Sequence, residues 1–148
     1  MVHVDKRLVS PALGNSLLAR AADRTLALQG ASGDLTIVLT DDAQLLELNR
    51  QYLGVDAPTD VLSFASGEAD PETGGIYLGD VVISVPQAQV QAAAAGHKLE
   101  AEVQLLVVHG VLHLLGYDHA KAADKAEMWA AQGRALDNLG LTEIVITE

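Results

Sequence analysis

The stretch His109-Gly110-Val111-Leu112-His113-Leu114-Leu115-Gly116-Tyr117-Asp118-His119 holds three of the five histidines in this 148-residue chain. Residues four apart on a helix share a face, so His109 and His113 stand one turn above another. Gly116 follows at the point where a helix that must stop favours a residue tolerating positive φ. The chain can turn there and return His119 toward the other two. Two imidazoles on a rigid helix and a third from the loop beyond it form a tripod for one divalent ion. His109, His113 and His119 are therefore the expected metal ligands.

A lone His-x-x-x-His pair on an apolar helix more often marks two hydrogen-bonded core histidines, so the flanks matter. Leu105-Leu106-Val107-Val108, Val111-Leu112 and Leu114-Leu115 make this helix apolar all round, the pattern of a helix at the centre of a domain. Imidazoles lodged there need either hydrogen-bond partners or a metal. The chain has no cysteine, which excludes a closed thiolate-rich zinc site. Three neutral imidazoles suit Zn(2+), one ion per chain, and such a donor set also accepts nickel, copper, iron or another divalent metal. Three protein ligands leave a fourth position for water, which zinc acidifies to a pKa of about 7. Asp118 is read as an acceptor for an imidazole N–H or as a loop cap, ahead of a general base.

Composition sets the frame. At 148 residues the chain is expected to form a single domain spanning residues 1–148, long enough for a real core. Aromatic residues make up only 3% of it, so alanine, leucine and valine must build the interior. The N-terminal residues lack the apolar stretch of a signal peptide, and no run approaches membrane-spanning length. With the absence of cysteine, this leads to the expectation of a soluble, cytoplasmic protein with no membrane partner. The formal net charge of −11 argues against a broad basic face for nucleic acid. An RNA substrate would have to meet a local patch, and most of the acidic charge reads as solvated surface.

Along the chain the elements alternate. Strands are expected over residues 2–9, 35–39, 61–64 and 76–84, the last with a bulge at Gly79-Asp80. Helices are expected over 13–28, from an N-cap at Thr40 to Tyr52, from Pro86 to Ala95, over 99–115 and over 121–139. Residues 65–75 read as an exposed loop, and the tail 141–148 as a strand or a trailing end. Met128 and Trp129 read as core anchors of the last helix, and His3 and His97 as ordinary. The pattern predicts a small α+β domain with a mixed sheet.

The spacing His-x-x-x-His-x-x-Gly-x-x-His is that of metzincin proteases, but Gly110 stands where those enzymes carry a general-base glutamate, and Met128 falls in a helix. A closer match is the YbeY family of bacterial metallo-endoribonucleases. Residues 109–119 resemble its signature, His-Gly-x-Leu-His-Leu-x-Gly-Tyr-Asp-His, at every fixed position. Leu48-Asn49 and Asp56-Ala57-Pro58-Thr59-Asp60-Val61-Leu62-Ser63-Phe64 resemble its central block, and Leu78-Gly79-Asp80-Val81-Val82-Ile83-Ser84 its following strand.

The resemblance implies a zincin-like central helix with a three-histidine zinc site, catalytic through the metal held by His109, His113 and His119. It implies a zinc-dependent, single-strand-specific endoribonuclease (a hydrolase) acting in maturation of the 3′ end of small-subunit ribosomal RNA and in ribosome quality control. Its partners would be ribosomal RNA, the small ribosomal subunit and single-stranded RNA. One departure stands out: many members carry arginine after the tyrosine of the central block, and this chain has Leu53 after Tyr52. Arg50 is the neighbour that could take up a substrate contact, against its simpler reading as a solvated helix residue. An exposed strand at 61–64 could carry the RNA, with Phe64 read as core before base platform. Two other readings stand beside this one: a metallohydrolase of a peptide or small molecule, and a ribosome-associated factor whose metal is mainly structural.

Overall fold

A computed structural model describes residues 2–8, 13–57, 59–69 and 75–141. Among these residues the strands are β1 (Val2–Lys6), β2 (Asp34–Thr40), β3 (Val61–Ala69) and β4 (Ile76–Ser84). The helices are α1 (Asn15–Leu28), α2 (Asp42–Leu53), α3 (Val85–Ala95), α4 (Leu99–Leu114) and α5 (Ala122–Asn138). The sheet order is β1-β2-β4-β3. β1, β2 and β4 run parallel, and β3 joins the edge antiparallel to β4. The fold is thus the expected α+β arrangement with a mixed sheet.

Alternation along the strands divides two cores. Leu35, Ile37, Leu39, Val81 and Ile83 face the main core, where α1, α4 and α5 pack. Val38 and Val82 face the other way, onto Leu45 of α2 with Leu48, Leu62 and Phe64. α4 lies at the centre, touching α1, α3, α5, β3 and β4. Its Val103, Val107, Val108, Val111 and Leu112 are fully buried, each worth about 1.5–3 kcal/mol relative to exposure. The all-round apolar pattern of this helix follows from its having neighbours on every side.

Several boundaries differ from the sequence expectation. β1 stops at Lys6 rather than residue 9. The cap of α2 is Asp41, whose carboxylate accepts from Gln44 N–H at 2.9 Å. Thr40, the expected cap, pairs with Ser84 in the ladder, a place suited to a β-branched residue, so the cap falls one residue later. β3 continues to Ala69, past the expected end at Phe64, because the antiparallel ladder resumes at Glu68 opposite Tyr77 after an irregularity. Residues 65–69 are therefore strand, and the rest of the expected loop through 74 lies outside the described residues. In the β2–β4 pair the extra residue is Leu78, beside Gly79 rather than at Gly79-Asp80. Gly79 itself lies at φ 140°, where an added Cβ would stand 2.1 Å from the Phe64 carbonyl oxygen. The tail beyond Leu141 lies outside the described residues.

Candidate metal centre

The tripod is built by the end of α4 and the bend after it. Gly116 adopts φ 99°. Tyr117 N–H then reaches back to the Leu112 carbonyl at 3.0 Å and Gly116 N–H to that of His113 at 3.0 Å, a pair of bonds that closes the helix. Tyr117 ties the loop down twice more. Its carbonyl accepts from His113 Nδ1 at 2.9 Å, and its hydroxyl donates to Gln29 Oε1 beyond α1 at 2.7 Å. Asp118 Oδ1 accepts from the backbone N–H groups of His119 at 2.7 Å and Ala120 at 3.3 Å. Asp118 is thus the loop cap, and it positions His119 through the backbone.

The three imidazoles converge. One nitrogen from each of His109, His113 and His119 lies within 4.8 Å of the others, a group that could hold a metal ion. His109 Nδ1 donates to Gln132 Oε1 at 2.9 Å, as His113 Nδ1 does to Tyr117. With both Nδ1 protons directed at acceptors, both Nε2 lone pairs turn inward, where they stand 3.1 Å apart. Two lone pairs opposed at that distance repel, and a shared cation relieves them. Tetrahedral zinc with Zn–N bonds of about 2.0–2.1 Å would hold two ligand nitrogens roughly 3.3 Å apart, so the donor set and spacing fit such an ion.

The electrostatics favour neutral rings. Burial pushes the His109 pKa below its ordinary value, outweighing the Gln132 hydrogen bond, and the neighbouring imidazoles push the same way against the field of Asp60. Burial likewise lowers the His113 pKa, reinforced by His119 and opposed by the Tyr117 carbonyl and Asp118. Neutral imidazole is the metal-binding form.

The trio opens into a groove of about 980 Å³. One wall is edge strand β3 (Val61, Leu62, Ser63), and the others come from the end of α3, from Leu105 and Leu106, and from Trp129 and Gln132. Leu53 also lines it, whereas Arg50 is absent from the lining. Arg50 instead lies on an exposed helix face, bonded to Glu47 at 2.5 Å, which raises its pKa through that hydrogen bond and the charges of Glu47 and Asp56. Phe64 faces the opposite side of the sheet, edge-on to Tyr52 with centroids 5.4 Å apart. That agrees with core over base platform.

Three participants escaped the sequence reading. Trp129 was grouped with Met128, yet adjacent helical residues point about 100° apart. Met128 is fully buried, while the partly buried Trp129 lays its ring 5.9 Å from His109 and 5.7 Å from His119, centroid to centroid. Gln132 carries a subtler signal, a glutamine in register with the buried Met128, Ala131, Ala135 and Leu136 of α5. The third is a pair in the groove wall: His97 Nε2 lies 2.5 Å from Glu102 Oε1, and both side chains are largely buried. Among the described residues, no helix is long and apolar enough to cross a membrane.

Residues 7–140 match the family described as Endoribonuclease YbeY. The Endoribonuclease YbeY of Pelotomaculum thermopropionicum is 49% identical over 131 residues, covering 85% of this chain and 86% of that protein. That of a Roseiflexus species is 45% identical over 150 residues, covering 94% of each chain. The solution structure of TM1509 from Thermotoga maritima has a similar fold, with a TM-score of 0.59 at 21% identity, covering 98% of this chain and 97% of that one.

Proposed function

The chain belongs to the endoribonuclease YbeY family, and on that footing we propose that it is a zinc-dependent, single-strand-specific endoribonuclease. Its proposed place is the cytoplasm, as one catalytic domain, in maturation of the 3′ end of small-subunit ribosomal RNA and in ribosome quality control. The observation that carries the reading is the pair of opposed Nε2 atoms at the base of a groove bounded by an edge strand.

A divalent cation held by His109, His113 and His119 would supply Lewis acidity toward a phosphate oxygen and activate water. The residues of the chain supply the rest. Gln132 and the Tyr117 carbonyl fix the ring orientations, the kind of support that tunes both affinity and geometry. Ser63 donates to the Gly110 carbonyl at 2.9 Å, which locks the edge strand onto the helix that bears two ligands. Among the described residues β3 is the outer strand of the sheet, and an edge of this kind offers donors and acceptors to an extended strand. Trp129 closes the far side and limits water around the rings.

Purified protein loaded with zinc is expected to cleave single-stranded RNA and to leave duplex RNA and peptides intact. His113→Ala should abolish cleavage while circular dichroism shows the fold retained. Cleavage that survives this substitution would contradict the catalytic assignment, and cleavage of peptides alone would place the chain among other metallohydrolases. In cells lacking the protein, small-subunit ribosomal RNA with unprocessed 3′ ends should accumulate.

A further inference from the structure

His97 follows Gly96, the left-handed residue that ends α3, and its ring turns toward α4, where Nε2 meets Glu102 Oε1 at 2.5 Å. Glu102 is 7% exposed and His97 18% exposed by side chain, so the carboxylate is the more deeply buried of the two. Glu102 precedes His109 by seven residues on α4, two turns. At 1.5 Å per residue that places it about 10 Å from the tripod, only ~20° off the same face. Both members of the pair line the groove that the tripod opens into. Between them and the trio the groove floor includes Leu105 and Leu106, with the small side chains of Ala94 and Ala95 at the α3 wall. Among the described residues that line this groove there is no lysine or arginine, and His97 is its one imidazole outside the trio.

We propose that His97, oriented by Glu102, is a second contact for the RNA strand, engaging a phosphodiester one or two linkages from the one at the tripod. The inference rests on the endoribonuclease reading and deepens it. The Glu102 carboxylate accepts Nε2–H, which fixes the ring and leaves its other nitrogen to donate to a phosphate oxygen. A ring that has taken its second proton from solvent stands between two anions, the carboxylate behind it and the phosphate in front. Glu102 holds the ring two helical turns back from His109, so its part is to position the strand. This gives an acidic chain a local anchor for an anionic substrate without a basic surface.

The test uses the zinc-loaded full chain and 2′-O-methyl hexanucleotides, checked to stay intact during the measurement, in which each linkage in turn is a neutral methylphosphonate. Affinity is read by fluorescence anisotropy. In the wild type, neutralising one linkage adjacent or next-but-one to the scissile position should weaken binding about tenfold, the size of one charge-assisted hydrogen bond. His97→Gln should bind the all-phosphate strand about tenfold more weakly and be indifferent to that same linkage, with zinc content and melting temperature unchanged. Glu102→Gln keeps an acceptor for Nε2–H and should lose less. Equal affinity of His97→Gln and wild type, or dependence on base identity with no sensitive linkage, would overturn the inference while leaving the endoribonuclease reading intact. Should His97→Gln fail to fold, the wild-type linkage scan decides alone, and a scan showing no sensitive linkage beyond the scissile one overturns it. A wild type that binds no RNA overturns both.

Discussion

A Cβ atom placed on Gly110 would lie 2.5 Å from Val81 Cγ1 and 3.2 Å from Ser63 Oγ. The position between the first two histidines of the tripod thus points into the sheet, and α4 lies so close to β4 that only hydrogen fits. This explains why the chain keeps the histidine spacing of the metzincins without their glutamate. A carboxylate at 110 would be driven into Val81, a fully buried strand residue paired on both sides, to Ile37 and to Ser63. Any general base must therefore come from elsewhere in the groove.

Gly110→Ala should destabilise the protein even though alanine is the better helix former. Relief of glycine's helix penalty offers roughly 0.5–1 kcal/mol, whereas overpacking a well-filled core costs typically about 1–3 kcal/mol. Val81 cannot swing aside, being β-branched and held in the ladder. We expect a lowered melting temperature by differential scanning calorimetry, with Gly110→Glu lower still. Val81→Ala in the Gly110→Ala background should recover part of the loss, giving a non-additive cycle. Additive losses would mean that the two residues do not clash.

Trp129 is the chain's one tryptophan, and its ring lies beside two of the three imidazoles. Its fluorescence should therefore report occupancy of the site. Titration with Zn(2+) should shift the emission and saturate at one ion per chain, while His113→Ala should remove the response. A spectrum unchanged through one equivalent of bound metal would place the ion elsewhere.

Chelation should lower thermal stability, because a cation held by the three imidazoles would bind the folded chain and not the unfolded one. At a free metal concentration one hundred times Kd the stabilisation is about 2.7 kcal/mol. For a chain of this length that corresponds to roughly 5–10 °C in Tm. Calorimetry with and without chelator measures it, and identical transitions would mean no specific binding to the native state.

Gln132 is 2% exposed and accepts from His109 Nδ1. Gln132→Leu keeps the volume but removes the acceptor, so His109 loses the partner that sets its tautomer. Metal affinity should fall about 10–100-fold by chelator competition. Gln132→Glu, which retains an acceptor, should lose far less. Equal losses in the two variants would indicate that packing, not the hydrogen bond, is what matters.

Much of this site was legible because its spacing is local. The i, i+4 pair and the glycine bend lie within eleven consecutive residues, and helix geometry brings two of the three rings together. The fold class followed from alternating periodicities for the same reason. What sequence could not place were contacts between elements. Gln132 lies 23 residues from His109, and only the packing of α5 on α4 unites them. Thr40 reads as the cap of α2 until the ladder with β4 claims it and leaves that place to Asp41. The extent of β3 depended on its partner as well, since a stretch rich in Gly and Glu reads as loop unless a neighbouring strand supplies its hydrogen bonds. Arg50 shows the opposite limit: proximity in sequence to the groove residues Asn49 and Leu53 did not put it on their side of the helix.

Leu53 gives the last prediction. It is the final residue of α2, 59% exposed, and lines the groove, whose described lining has no lysine or arginine. Leu53→Arg should be accommodated, since an exposed substitution changes stability by only about 0.5 kcal/mol and a cation suits a helix C-terminus. One added phosphate contact to single-stranded RNA should steepen the salt dependence of log K by about 0.7. At low salt kcat/KM should rise several-fold, carried by a lower KM if the arginine only binds and by a higher kcat if it reaches the reacting phosphate. Leu53→Gln, of similar reach but uncharged, should show neither effect. A Leu53→Arg enzyme with wild-type kinetics at every salt concentration would mean that the substrate strand does not pass this end of α2.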